Sequence, residues 1–246
     1  MELWAQSWTQ AIPRQGSDYA GSLTRWQHSS FPRRLPVSAP RLYSGVPALR
    51  RTIREIEIKL RVRDLAELMG RLRRLGARCS GRVLERNVVF DTPDSDFRRR
   101  GCLLRLRVET STPSAGVPGG APRAVLTSKA PVPPSPRSRY KEKLEREVVL
   151  RSARRSEANL RSLGFRPGFR YEKYRTSFRL SGLHVELDET PVGTFLELEG
   201  APRAIDRVAR ALGFSPRDYV RSTYWDLYAA ECRRRGQIPR NMAFSA

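Results

Sequence analysis

The sequence predicts an α+β protein in which about eight strands carry the fold and a few helices lie outside them. Three observations support this. Several stretches alternate apolar and polar residues with period two, most are joined by turn-rich connections, and the second half of the chain echoes the first. Residues 54–63, R-E-I-E-I-K-L-R-V-R, show the alternation most clearly. Ile56, Ile58, Leu60 and Val62 fall on one side of an extended strand, and Glu55, Glu57, Lys59, Arg61 and Arg63 on the other. Eight strands suffice to close a small barrel.

The elements follow in order. Residues 1–50 have no sustained period and carry scattered Pro, Ser and Gly, so a disordered extension is expected there. The folded region is expected over 51–235, with 236–246 as a tail. Asp64 is placed to cap a helix carrying Leu65, Leu68, Leu72 and Leu75, which Gly76 stops. V-L-E-R-N-V-V-F (83–90) is strand-like, D-T-P-D (91–94) is a turn, and L-L-R-L-R-V (103–108) is a strand. A Pro/Gly/Ser-rich loop over 111–122 precedes a strand at 124–129 and a second loop at 131–136. Residues 143–149 alternate again, and a polar helix with Leu160 and Leu163 ends at Gly164. Strands follow at 171–178, 183–188 and 194–199, then helices at 202–212 and from about 217 to 235. Glu55-x-Glu57 and Glu145-x-Glu147 lie 90 positions apart, and Leu75-Gly76 and Leu163-Gly164 lie 88 apart. The joint spacing suggests two related halves, each a strand, a helix and further strands.

Lys and Arg number 47 against 25 Asp and Glu, a formal charge of +22. Residues 1–50 contribute +4 and residues 231–246 contribute +3, which leaves +15 on 51–230. Such an excess points to an anionic partner; the arginine usage of a GC-rich genome is the rival explanation. Cys79, Cys102 and Cys232 have no zinc or disulfide spacing, so a reducing, cytoplasmic setting is the default. His28 and His184 are too few for a histidine metal site. No apolar run approaches the roughly 20 residues that span a bilayer, so no membrane partner is expected. The N-terminus lacks a signal-peptide apolar region; its Arg and Ser faintly suit a transit peptide, but an extension or an upstream start codon is preferred.

The polar parity of the strands carries the chemistry. It presents Glu55, Glu57, Lys59, Arg61 and Arg63; then Arg105 and Arg107; Thr127 and Lys129; Lys143, Glu145 and Glu147; Lys173 and Arg175; His184, Glu186 and Asp188; and Glu197 and Glu199. A solvated outer face is the ordinary reading of one such strand. Two features oppose it when the strands are taken together. Nearly every position is charged, and paired carboxylates sit on three strands while Arg/Lys pairs sit on three others. Inside a closed barrel these charges are costly unless something complements both signs. Carboxylates suit Mg²⁺ or Mn²⁺, and Arg and Lys suit phosphate oxygens. A metal-bound polyphosphate offers both complements.

Glu55-Ile-Glu57-Ile-Lys59 resembles the E-x-E-x-K signature of the CYTH superfamily, also called triphosphate tunnel metalloenzymes. F-D-T-P-D (90–94), G-C-L-L-R-L-R (101–107), L-T-S-K (126–129), E-R-E (145–147), K-Y-R (173–175), L-D-E-T-P-V-G-T-F-L-E-L-E (187–199) and S-T-Y-W-D-L (222–227) follow in family order. The resemblance covers about 52–230 and is strongest to bacterial class IV adenylate cyclases. It implies an eight-stranded antiparallel closed β-barrel that holds a triphosphate in its middle. Glu55, Glu57, Glu197 and Glu199 then resemble the carboxylates for Mg²⁺ or Mn²⁺. Glu145 and Asp188 resemble further acids that hold a second metal or position water, and count with Lys59 as catalytic. Lys59, Arg105, Arg107, Lys129, Lys173 and Arg175 resemble the triphosphate ligands. Lys143 stands where the family often has Arg, and Ser128 where an aromatic is frequent.

The implied reaction is conversion of ATP to cyclic AMP and pyrophosphate. Hydrolysis of inorganic or thiamine triphosphate uses the same tunnel with water as nucleophile. A non-catalytic binder of polyphosphate or RNA is the rival from another class. RNA is disfavoured because Phe90, Tyr174, Phe178 and Phe195 mostly oppose the charged parity or lie near strand ends, and because the acids repel it. A homodimer is compatible with the sequence. Asp91 and Thr92 are read as turn residues, His184 as a structural hydrogen-bonding group, Trp225 and Tyr228 as helix packing, and Arg233, Arg234 and Arg235 as a solvated helix end.

Overall fold

The computed structural model describes residues 52–112, 120–133 and 138–244. The extension predicted over 1–50 and the middles of both predicted loops lie outside them. In chain order the elements are β1 (Ile53–Val62), α1 (Leu65–Arg74), β2 (Arg78–Asp91), α2 (Asp96–Arg99), β3 (Leu103–Ser111), β4 (Arg123–Pro131), β5 (Lys141–Leu150), α3 (Ala153–Ser162), β6 (Arg166–Leu180), β7 (Leu183–Thr190), β8 (Gly193–Glu199), α4 (Pro202–Ala211), β9 (Tyr219–Val220) and α5 (Tyr224–Arg234).

Eight antiparallel strands close a barrel in the order β1-β5-β4-β3-β2-β6-β7-β8, with β8 returning to β1. This is the predicted architecture. Around the closing strand, β5 pairs the first half of β1, from Ile53 to Glu57, and β9 lies outside the ring against Lys59 and Leu60. The repeat seen in the sequence is a topological one. β1-α1-β2-β3-β4 and β5-α3-β6-β7-β8 are equivalent runs, β1 pairs β5, and β2 pairs β6. Exchanging the two runs maps the ring onto itself in reverse, as a two-fold axis across the barrel would.

The strands turn their apolar parity outward. Ile58, Leu60, Val62, Phe178, Leu183, Val185, Leu187, Leu196 and Leu198 pack beneath Leu68 and Leu72 of α1 and Ile205, Val208 and Ala209 of α4. On the other side Val88, Phe90, Leu104 and Leu106 pack against Leu160 of α3 and Phe97 of α2. The core therefore lies between the barrel wall and its helices, and the charged parity is left for the interior. Capping fixes the helix starts: Asp64, Ser152 and Thr223 each accept a hydrogen bond from a backbone N–H three residues on.

β2 starts earlier and β6 is longer at both ends than the alternation suggested. A register shift at Cys79/Gly81, where Gly81 takes φ +141°, lets β2 continue past an interruption in its pattern. The last helix begins at Tyr224, not near 217. A 3-10 turn at Pro216–Asp218 and β9 come first, and the Thr223–Asp226 capping box sets the true start. In the stretch set apart as a tail, Met242 is buried, bridges Tyr171 of β6 and exchanges backbone hydrogen bonds with Arg170 and Glu172. Asp91 is a turn residue as read: its carboxylate accepts from the amides of Thr92, Phe97 and Arg98.

Leu60, with no exposed surface, sits under the outer helices. Leu60→Ala will lower unfolding free energy by about 2–5 kcal/mol in chemical denaturation, because the closed wall cannot collapse into the void.

Candidate active site

The inward parity forms two facing walls. β1 and β2 stand four places apart in a ring of eight, so they are opposite each other. On the β1/β8 side, Glu57 faces Glu199 and Lys59 faces Glu197 as register partners. Side chains two apart on a strand share a face at about 7 Å, so Glu55, Glu57, Glu197 and Glu199 form one acidic wall. Glu55 and Glu57 are buried. Burial pushes the Glu55 carboxyl up to about 7, with Glu57 and Glu145 adding to the rise and Lys129 opposing it. Burial also pushes up Glu199, which has Glu145, Glu57 and Glu186 as acidic neighbours.

The other charges pair across the barrel. Lys129 Nζ donates to both Glu55 oxygens at 2.6 Å and lies 3.4 Å from Glu145. Lys59 Nζ lies 3.2 Å from Glu197 and donates to the Ser222 carbonyl at 3.3 Å. Arg175 contacts Asp188 and Glu197, each at 2.6 Å. Lys173 Nζ donates to Asp188 at 2.8 Å. Arg107 reaches Glu147 at 3.2 Å and Glu85 at 3.5 Å. Burial works against ionisation of Glu197, but Lys59 and Arg175 hold its carboxyl well below the usual range.

Of the predicted residues, Glu55, Glu57, Lys59, Arg105, Arg107, Lys129, Glu145, Lys173, Arg175, Asp188, Glu197 and Glu199 share this interior. Lys143 stands apart from the network: its Nζ donates to the Gly101 carbonyl at 2.8 Å, toward the β3 end of the wall. Lys141 makes the acid contact on that strand, donating to Glu57 at 2.7 Å. It shares the parity of Lys143, but reading the strand as starting at 143 left it out. Glu85 was also missed. It is fully buried, 3.5 Å from Lys173 and 3.8 Å from Arg175. Val83 and Val89 share its parity, so the alternation of β2 does not declare an acid face.

Two tyrosines complete the interior. The Tyr224 hydroxyl donates to Asp188 at 2.6 Å, and its ring lies under Lys59 at 4.0 Å and near Lys173 at 5.1 Å. The Tyr171 hydroxyl accepts from Arg105 at 3.2 Å. His184 lies against Arg179 at the outer end of β7, and its proton affinity is lowered by burial and by that guanidinium, as suits a structural group. Trp225 and Tyr228 pack on Phe169, and Arg234 and Arg235 pair with Glu231 at the exposed end of α5.

As arranged, no group of three acids among the described residues converges closely enough to hold a metal, and lysine or arginine groups contact oxygens of Glu55, Glu57 and Glu197. The donor set nonetheless fits a hard divalent cation. It consists of carboxylates on adjacent strands, of which Glu55 and Glu199 are raised first by burial and further by their acidic neighbours. No described helix is long and apolar enough to cross a membrane.

Comparison with known proteins supports the barrel fold. The CYTH domain family matches residues 54–224. A Methanocaldococcus jannaschii protein named as a candidate adenylate cyclase is 24% identical over 184 residues, covering 70% of this chain and 97% of its own. A Pyrococcus horikoshii structure aligns with TM-score 0.60 and 23% identity over 72% of this chain and 99% of its own. A Hippeastrum protein, a candidate adenylyl cyclase described as having a dominant triphosphatase activity, aligns with TM-score 0.50 and 20% identity over 75% of this chain and 97% of its own. At these identities the two structures establish the shared fold.

Glu85 is the acid that three cations of the opposite wall surround, and Lys173, Arg175 and Arg107 hold its carboxyl far below the usual range against the effect of burial. Glu85→Gln will cost about 3 kcal/mol of stability at neutral pH in ligand-free protein, because it strands buried cations. The wild-type contribution is present above about pH 4.3, where the unfolded carboxyl ionises, and fades as pH falls below it. Thermal melts from pH 7 to 3 will therefore show the two proteins converging at the acid end.

Proposed function

Since the chain belongs to the CYTH domain family, we propose that it is a divalent-metal-dependent enzyme that binds a triphosphate inside the barrel, and that its reaction is conversion of ATP to cyclic AMP and pyrophosphate. The observation that supports this best is the segregation of charge in the closed interior: an acidic wall on β1/β8 faces cations from β3, β4 and β6. Such an interior complements a metal on one side and a phosphate chain on the other. The names given to relatives favour the cyclase reaction over other triphosphate chemistry.

Glu55, Glu57, Glu197 and Glu199 would hold Mg²⁺ or Mn²⁺, with Glu145 and Asp188 near. The metal, when bound, neutralises phosphate charge and acidifies a coordinated hydroxyl or water. The protein's own contribution is positioning and electrostatics. Lys59, Arg105, Arg107, Lys129, Lys173 and Arg175 bind and orient the phosphate chain, and Lys143 stands at the edge of that set. Lys59, wedged between Glu197 and the Tyr224 ring, carries charge from the acidic wall to the chain. Asp188, fixed by Lys173, Arg175 and Tyr224, holds those two cations in place. Burial of Lys59, Arg105, Arg107 and Lys173 lowers their access to water, which strengthens these contacts.

Hydrolysis of inorganic or thiamine triphosphate is a second reading. It is favoured by an interior whose lining is charged along its length and by the triphosphatase activity described for the Hippeastrum protein. The excess positive charge also keeps a non-catalytic polyphosphate binder in view.

Purified protein will be incubated with Mg²⁺ or Mn²⁺ and either ATP or inorganic triphosphate, and the products separated by chromatography. Cyclic AMP with pyrophosphate from ATP is expected. Orthophosphate from inorganic triphosphate without cyclic AMP would overturn the cyclase assignment in favour of hydrolysis. Chelation of the metal and Glu57→Ala, in protein whose melting curve confirms folding, will each reduce turnover at least 100-fold. Undiminished turnover in both would overturn the metal-dependent enzyme.

A further inference from the structure

Asn87 has no exposed surface, and neither atom of its amide has a hydrogen-bond partner in the protein. It sits on the β2 wall between Arg107 of β3 and Tyr171 of β6, its register partners. Tyr171 carries the hydroxyl that accepts from Arg105, so the register partner of Asn87 on β6 is also a hydrogen-bond partner of Arg105. Arg105 is unusual in its own right. Lys59, Arg107, Lys129, Lys173 and Arg175 each contact an acid. The buried guanidinium of Arg105 meets only the hydroxyls of Tyr171, at 3.2 Å, and Thr127, at 3.3 Å, and its Nε has no partner. Among the described residues no carboxylate lies within 4.0 Å of it. Glu85 and Glu145 act on Arg105 only through space; a buried cation with no acid in direct contact, and an amide without any partner, each destabilise a protein. A cation and a neutral N–H donor that share the interior and the neighbour Tyr171, each with an unfilled donor, suit one oxyanion with several acceptor oxygens.

We propose that Asn87 contacts the substrate: its amide N–H donates to an oxygen of the phosphoryl group held by Arg105, so that the β2 wall fixes one end of the bound phosphate chain. This rests on the triphosphate reading above and adds to it a neutral ligand on the wall opposite the metal carboxylates. The amide contributes a directed donor without further charge, on a wall where Glu85 already offsets Lys173, Arg175 and Arg107.

The test is calorimetric titration of full-length protein with inorganic triphosphate, with and without Mg²⁺, together with the thermal midpoint of the ligand-free protein. Asn87→Leu removes the amide at similar volume. Binding is expected to weaken at least ten-fold, about 1.4 kcal/mol, while the ligand-free midpoint holds or rises because an unpaired buried amide is gone. Asn87→Asp, which sets a carboxylate against the anion, is expected to weaken binding further. If leucine prevents folding, Asn87→Ser gives the same readout. Wild-type affinity in the Asn87 variants, with a lowered midpoint, would mean that the amide holds a structural water, and would overturn the proposal. Loss of binding in Arg105→Ala alongside that result would leave the triphosphate reading standing. Failure of the wild type to bind triphosphate would overturn both.

Discussion

A closed barrel filled with charge is the constraint from which the rest of this structure follows. Interior positions in a ring of eight strands are wholly or partly shielded from bulk water, so the buried ions there need a partner or a ligand. The chain supplies partners strand by strand: Lys129 for Glu55, Lys141 for Glu57, Arg175 for Asp188 and Glu197. Because these polar side chains fill the inside, the apolar parity can be buried only on the outside. The helices α1, α3 and α4 are therefore required as covers.

The same pairing makes the protein its own counter-ion in the absence of ligand. Lysine ammonium groups stand on the oxygens that a divalent cation would take, and carboxylates stand on the cations that a phosphate chain would take. Under the proposed function, binding would be an exchange of one set of ion pairs for another. The net gain depends on the groups that the internal set leaves poorly served, such as Glu199 among its acidic neighbours and Arg105 between two hydroxyls.

Most of the fold was legible because period-two alternation is strong wherever one face is wholly charged. β1, β3, β7 and β8 read cleanly for that reason, and the family pattern supplied the closure. What was not legible depended on tertiary pairing. The two residues of β9 form a strand only because β1 has a free edge beyond Glu57, so the sequence suggested a longer helix there instead. Lys141 was lost to a strand boundary two residues late. Glu85 and Asn87 were lost because Val83 and Val89 share their parity. The candidate acids and most cations were found by type and parity, but which acid meets which base is decided by barrel stagger, which no single strand encodes.

The position of β1 in the ring also bears on how the chain is made. Its partners, β5, β8 and β9, begin at residues 141, 193 and 219, so β1, which ends at Val62, leaves a ribosome well before any strand that pairs with it. An unpaired strand is an invitation to aggregate. Glu55, Glu57, Lys59 and Arg61, placed at every second residue, keep that waiting strand soluble. The side chains that line the finished interior thus act as gatekeepers for the nascent one.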